Sequence, residues 1–199
     1  MADWRFLAAG AAGAAAGSMT YVSETNEIAE AITGARQQYG QAAQDCRRFR
    51  PGVQPPPNAG QGASAGGPII DLAIGRLKRL SRFHAVMGNV FSLCVARIRL
   101  EGNALARWDS WQLHRADAAR HAETALQRLL SAKSHGNAAL SVFNVMLRPP
   151  SPRAVAHAWA PAAEQLLHRA IGDLAVADAA LGQMPQAIAV QYVDALGLL

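Results

Sequence analysis

The sequence predicts an all-α protein: a long N-terminal helix followed by a helical bundle. Three observations carry this. Alanine is abundant and β-branched residues are few, a composition that favours helix over strand. Apolar residues recur at alternating spacings of three and four along nearly every long segment, the signature of a helix with one buried face. No run alternates apolar and polar residues over the length of a strand. The 199 residues suffice for one domain with a real core, or for one domain and an anchor. The predicted organisation is a first helix over residues 1–50, a Pro/Gly-rich linker over 51–68 and a helical bundle domain over 69–199.

The first helix opens with Phe6–Ser23 (FLAAGAAGAAAGSMTYVS), eighteen residues without a charge between Arg5 and Glu24. At about 1.5 Å per residue this reaches roughly 27 Å, close to the thickness of a hydrocarbon core. Only Phe6, Leu7, Met19, Tyr21 and Val22 are large and apolar, so transfer into lipid stabilises the stretch weakly. Gly13-x-x-x-Gly17, with Gly10 nearby, instead lets another helix approach closely. Gly10, Gly13 and Gly17 are therefore the expected helix-packing residues. Trp4 and Tyr21 lie near the two ends, where interfacial aromatics belong. Two readings stand side by side: a single membrane span, or a buried small-residue helix of a soluble protein. A signal peptide fits less well, because Asp3 stands beside Arg5, and a transit peptide would need a stripe of Arg and Ser.

From Ile28 the pattern sharpens. Ile28, Ile32, Ala35, Tyr39, Ala42, Cys46 and Phe49 form one apolar stripe on an otherwise polar helix. The same register runs back through Thr25, Tyr21, Ser18, Ala14, Ala11, Leu7 and Trp4. The helix therefore either continues unbroken or bends at Ser23 acting as an N-cap. Pro51 ends it. Gly52–Pro68 (GVQPPPNAGQGASAGGP) has no charge and no apolar periodicity. Pro55-Pro56-Pro57 favours extended polyproline and the remainder flexible chain, which predicts a linker.

Ile70, Ala73, Leu77, Leu80, His84, Met87, Phe91, Cys94 and Ile98 predict the next helix. Its uncharged stretch Phe83–Ala96 is too short to span a bilayer comfortably and is expected in the bundle core. Gly88-Asn89 falls inside the rhythm, so the helix is expected to pass through it. Gly102-Asn103 and Gly136-Asn137 predict a break at one or both. Asn103–Lys133 reads as a helix with Leu105, Trp108, Trp111, Ala119, Ala122, Leu126 and Leu129 on its apolar face. Ala138–Leu147 reads as a short apolar helix. Ser151-Pro152 starts a helix to about Trp159. Pro161 opens another on Ala163, Leu167, Ala170, Leu174, Ala177 and Leu181. Pro185 opens the last, with Ile188, Tyr192, Val193 and Leu196 apolar.

The net charge of +5 is unevenly placed: Arg47 to Arg99 holds nine basic residues against Asp71 alone. Such a block calls for an anionic partner, or is a solvated face with local ion pairs. Arg76, Lys78, Arg79 and Arg82 are the expected contacts with an anionic partner or lipid. Nucleic acid is not the expected partner, because Phe49, Phe83 and Phe91 fall mostly on apolar stripes rather than on an exposed face.

No nucleophile elbow, phosphate-cradling loop or paired-carboxylate pattern appears, so neither enzymatic activity nor a cofactor is expected. His114, Asp117 and His121 share a helical face, but no H-E-x-x-H or E-x-x-H pairing supports them, and no metal is expected. Cys46 and Cys94 have no C-x-x-C partner and read as free thiols on apolar faces.

The stretch from Trp4 to about Phe49, with Gly13 and Gly17 as its motif, resembles N-terminally anchored accessory subunits of mitochondrial inner-membrane complexes, the respiratory complexes and ATP synthase. In these an uncleaved span leads directly into a polar helix. The resemblance is architectural and covers a quarter of the chain. It implies a non-catalytic accessory or structural subunit of a large complex at the mitochondrial inner membrane, acting in assembly or subunit contacts. The implied partners are other subunits, with cardiolipin near the basic residues. Two alternatives stand beside it. One is a soluble helical scaffold or virion-type structural protein, and the other is a basic structural component of a ribonucleoprotein.

Overall fold

A computed structural model of the chain describes residues 4–48, 57–96, 99–146, 153–196 and 198; for 4–20, 57–58, 146, 153–158, 192–193 and 196 it describes backbone alone. These residues form α1 (Trp4–Arg48), α2 (Pro57–Val95), α3 (Asn103–Met146) and α4 (Arg153–Leu196), with no strand among the described residues. The chain is all-helical, as its periodicity predicts. Among the described residues no helix is long and apolar enough to cross a membrane. The expected span at Phe6–Ser23 therefore gains no support, since alanine and glycine add length but little apolar surface. Gly10, Gly13 and Gly17 lie in the stretch of α1 described by backbone alone, so their predicted packing lies outside what is described.

The chain divides into two compact units, and each helix supplies a stretch to both. This division does not follow the predicted sequence of first helix, linker and bundle. One unit comprises Ile28–Gly75 and Leu126–Asp178. Its core holds the predicted α1 stripe, with Ile28, Ile32, Ala35, Tyr39, Ala42 and Cys46 all buried. Ile70 and Ala73 of α2, Leu129 and Phe143 of α3, and Leu167 and Leu174 of α4 are buried in the same unit. Each fully buried Leu or Ile contributes about 1.5–3 kcal/mol.

Residues 57–68, predicted as linker, are helical. Ala59, Gly62, Ala63 and Gly66 are buried. A Cβ at Gly62 would stand 2.9 Å from the Gln38 carbonyl oxygen and 3.2 Å from Ala42 Cβ, and one at Gly66 would overlap the Tyr39 ring. The small residues thus carry the rhythm of Ile70 and Ala73 backward and let α2 approach α1 closely. Packing outweighs the intrinsic helix penalty of glycine, about 1 kcal/mol per residue. The exposed Pro68 also lies inside α2, despite the hydrogen bond that its missing N–H removes.

Three further predicted breaks are absent. α3 passes through Gly136, where Tyr39 Cζ lies 2.6 Å from the place a Cβ would occupy. α4 passes through Pro161 and Pro185, which were expected to open separate helices. The stripe Ala160, Ala163, Leu167 and the stripe Leu181, Met184, Ile188 stay buried across the two prolines. The break at Gly102 does occur, and its φ of +56° is the left-handed conformation that glycine adopts freely.

The second unit comprises Met1–Glu27, Arg76–Ala125 and Ala179–Leu199. Phe91, Val95, Trp111, Ala195 and Leu198 form a buried cluster in it, with Leu100, Ala104 and Trp108 packed against them. Trp108 and Trp111 stack at 4.9 Å with 9° between planes, and Phe91 lies 4.9 Å from Trp111. These aromatic contacts fasten the C-terminal end of α2 to the start of α3.

Candidate functional site

α2 presents two apolar faces within this second unit. Leu77, Leu80, Phe91 and Val95 are buried. On the side turned away from them, Phe83 is 40% exposed, Val86 58%, Val90 46% and Leu93 70%. The outer positions are spaced three, four and three, which places them in one line along the helix. Other exposed large apolar residues of α3 and α4, such as Leu113 and Val190, have no exposed large apolar residue three or four positions away on their own helix among the described residues. Single residues of that kind are ordinary surface, whereas a line of four on one helix is a contact surface in form.

The predicted basic contacts lie just before this line. Lys78, Arg79 and Arg82 are exposed and form no ion pair among the described residues. No acidic residue occurs between Asp71 and Glu101. Arg76 differs from its neighbours. It turns to α1, where it pairs with Glu24 at 3.2 Å and with Glu27, so its charge is matched within the fold.

Arg115 of α3 sets the orientation of the outer face. It crosses α2 at Gly88, where a Cβ would stand 2.7 Å from its guanidinium carbon. It donates to Asn89 Oδ1 at 2.6 Å, to Ser92 Oγ at 3.3 Å and to the Ala85 carbonyl at 3.4 Å. It also lies 5.6 Å from the Trp111 ring centroid, within cation–π range. His84 supports the same segment from the core side: its Nε2 is 3.0 Å from Gln191 Oε1 and its ring 5.3 Å from that of Tyr21. Burial lowers the His84 pKa, partly offset by the Gln191 hydrogen bond and reinforced by the Arg115 charge. A neutral His84 donating from Nε2 fits these surroundings.

The first unit contains a part-buried polar cluster, centred on the buried Asp173, that the sequence did not reveal. Asp173 of α4 accepts hydrogen bonds from Arg128 at 3.0 Å, Ser131 Oγ at 2.6 Å and His135 Nδ1 at 3.1 Å, all on α3. Burial raises the Asp173 pKa, but the hydrogen bonds from Ser131, Arg128 and His135 outweigh it and hold the carboxyl below its ordinary range. Ser131 and His135 both donate to the one carboxylate. A nucleophilic serine would instead donate to the histidine, so this geometry anchors α3 to α4 and activates no nucleophile. On α3 the signal was present as polar residues three and four apart; their partner, 38 to 45 residues away in sequence, carried none.

The remaining chemical groups are quiet. Burial pushes the Cys46 thiol up to about 12, with Glu164 and Asp45 adding to the effect, so it stays protonated and unreactive. Cys94 is partly buried and both cysteines are free. Burial, with Asp71 adding, likewise raises the Tyr39 hydroxyl to about 12. That hydroxyl meets no hydrogen-bond partner among the described residues. Asp117 pairs with Arg120 at 2.9 Å. No group of three His, Cys, Asp or Glu side chains suited to a metal converges among the described residues.

No known protein family matches the chain, and no curated protein is detectably similar to it. The geometry of its surface is therefore the basis for a functional reading.

Proposed function

We propose that the protein is a non-catalytic helical subunit of a larger assembly and works by contact. Its contact surface is the outer face of α2. The observation that carries this reading is the coincidence, on one helix, of four exposed large apolar side chains with three cations that form no ion pair among the described residues. Large apolar side chains in line on a surface are stabilised when a partner removes them from water. Lys78, Arg79 and Arg82 attract and orient a partner of negative charge, an effect that acts mainly on the rate and register of association.

The accessory role is the part of the resemblance to anchored subunits that this reading retains. A place at the mitochondrial inner membrane, with cardiolipin supplying the negative charge, is its narrower form. The soluble scaffold is the other form, and both use the same face.

Native-gel sizing of an extract from the source cells tests the proposal. The wild-type chain is expected to migrate with a large complex, and the K78E/R79E/R82E variant to migrate free. Carbonate extraction of the same material separates the two forms. Unchanged migration of the variant would remove the basic residues from the contact and overturn the reading.

A further inference from the structure

Resting on that reading, we infer that the outer face of α2 receives one acidic amphipathic helix from a partner protein. The helix lays its apolar seam along Phe83, Val86, Val90 and Leu93 and sets carboxylates against Lys78, Arg79 and Arg82.

Spacing argues for a helix. Positions 83, 86, 90 and 93 repeat as the two seam positions of successive heptads, a stripe two residues wide in every seven. A helix packing alongside another buries a stripe of that width, whereas a helix lying on a lipid surface sinks a broader apolar face. Here Asn89 and the cation Arg82 close off the edge of the stripe, and both are exposed.

Charge argues for an acidic one. The segment between Asp71 and Glu101 contains only basic charges. A second copy of the same face packed in parallel would bring Lys78, Arg79 and Arg82 against the same three cations, and like charges across an interface are costly. The complementary partner carries Asp or Glu beside its seam. The face is also held ready. Arg115 bonds to Asn89, Ser92 and the Ala85 carbonyl, and Phe91 is locked against Trp111. Docking therefore requires little ordering of α2 itself.

The test titrates full-length protein into a labelled synthetic peptide of three heptads, with Ile and Leu at the seam positions and Glu at the flanking ones. The same peptide with Lys for Glu, and vesicles of phosphatidylglycerol and phosphatidylcholine, serve as competing probes. The Glu peptide is expected to bind saturably, to weaken with added salt, and to lose about tenfold or more in affinity in the V86N/L93N variant. Both positions are exposed, so circular dichroism and the melting temperature should match wild type. Equal binding of the Lys peptide, or affinity unchanged in V86N/L93N, would overturn the inference. So would vesicle binding without peptide binding, or a homodimer in sedimentation that V86N/L93N dissolves. If the peptide fails while K78E/R79E/R82E still leaves the native complex, the contact reading stands and only the helical partner is lost. If that charge variant stays in the complex, the contact reading falls with it.

Discussion

Tyr39 shows how tightly single residues specify this fold. Its ring lies where a side chain at Gly66 or Gly136 would need to be. Gly136→Ala is expected to destabilise the protein by about 1–3 kcal/mol, the usual cost of overpacking a core. Tyr39→Leu, which removes the ring, should recover part of that loss, and chemical denaturation of the single and double variants measures the coupling. The sequence identified Tyr39 as a core residue from its place in the α1 stripe. It did not identify the glycines as its partners, because a glycine leaves no mark in an apolar pattern. His84 gives a pH dependence at the same scale. Its folded pKa is lowered, chiefly by burial, so below about pH 6.5 the unfolded chain takes up the proton first. The stability linked to His84 is full above that pH and falls as pH drops toward the folded value. His84→Asn should flatten the decline in denaturation midpoint that the wild type shows below pH 6.5. An unchanged slope would mean that His84 stays hydrated. For Asp173 the folded pKa is also lowered, and its contribution is lost only below about pH 3.8, as the carboxylate takes up a proton and its ion pair with Arg128 fails.

Element by element, the chain was legible where large apolar residues marked the buried face, with exceptions on α3, where Leu105 and Ala119 of the predicted face are exposed and Ala118 is buried instead. The α1 stripe from Ile28 to Cys46 is buried as its spacing predicts. The break at Gly102 and the continuity through Gly88 follow their local patterns as well. Residues 57–68 were misread because their buried positions are Ala59, Gly62, Ala63 and Gly66, too small to register as apolar. Close approach of Gly62 to Gln38 and Ala42, and of Gly66 to Tyr39, gives the glycines their packing value. Amide exchange offers a check. Amides of residues 60–70 are expected to exchange far more slowly than free chain, and Gly62→Val should speed them by forcing α2 away from α1. Free-chain exchange in the wild type would return the segment to a linker. The prolines of α4 were misread for a related reason: local backbone preference is a weak prior that a continuous buried stripe overrides.

At the scale of the whole molecule, the all-helical class was plain from composition and period, but the division into two units was not. Each unit draws on all four helices, so no composition shift along the chain marks it. The basic block was legible as a block, and the structure sorts its members. Arg47 pairs with Glu164 at 2.8 Å and Arg76 with Glu24 and Glu27, whereas Lys78, Arg79 and Arg82 form no such pair among the described residues. The exposed line from Phe83 to Leu93 was hidden, because the same stretch also carries Phe91 and reads as one uncharged core segment. Only a placed helix separates its two faces. The central claim, that the outer face of α2 is covered by a partner, is tested most directly by hydroxyl-radical footprinting of the free protein and of its native assembly. Oxidation of Phe83 and Leu93 is expected to fall severalfold in the assembly, with Leu113 and Val190 unchanged. Equal oxidation of Phe83 and Leu93 in both states would contradict the account.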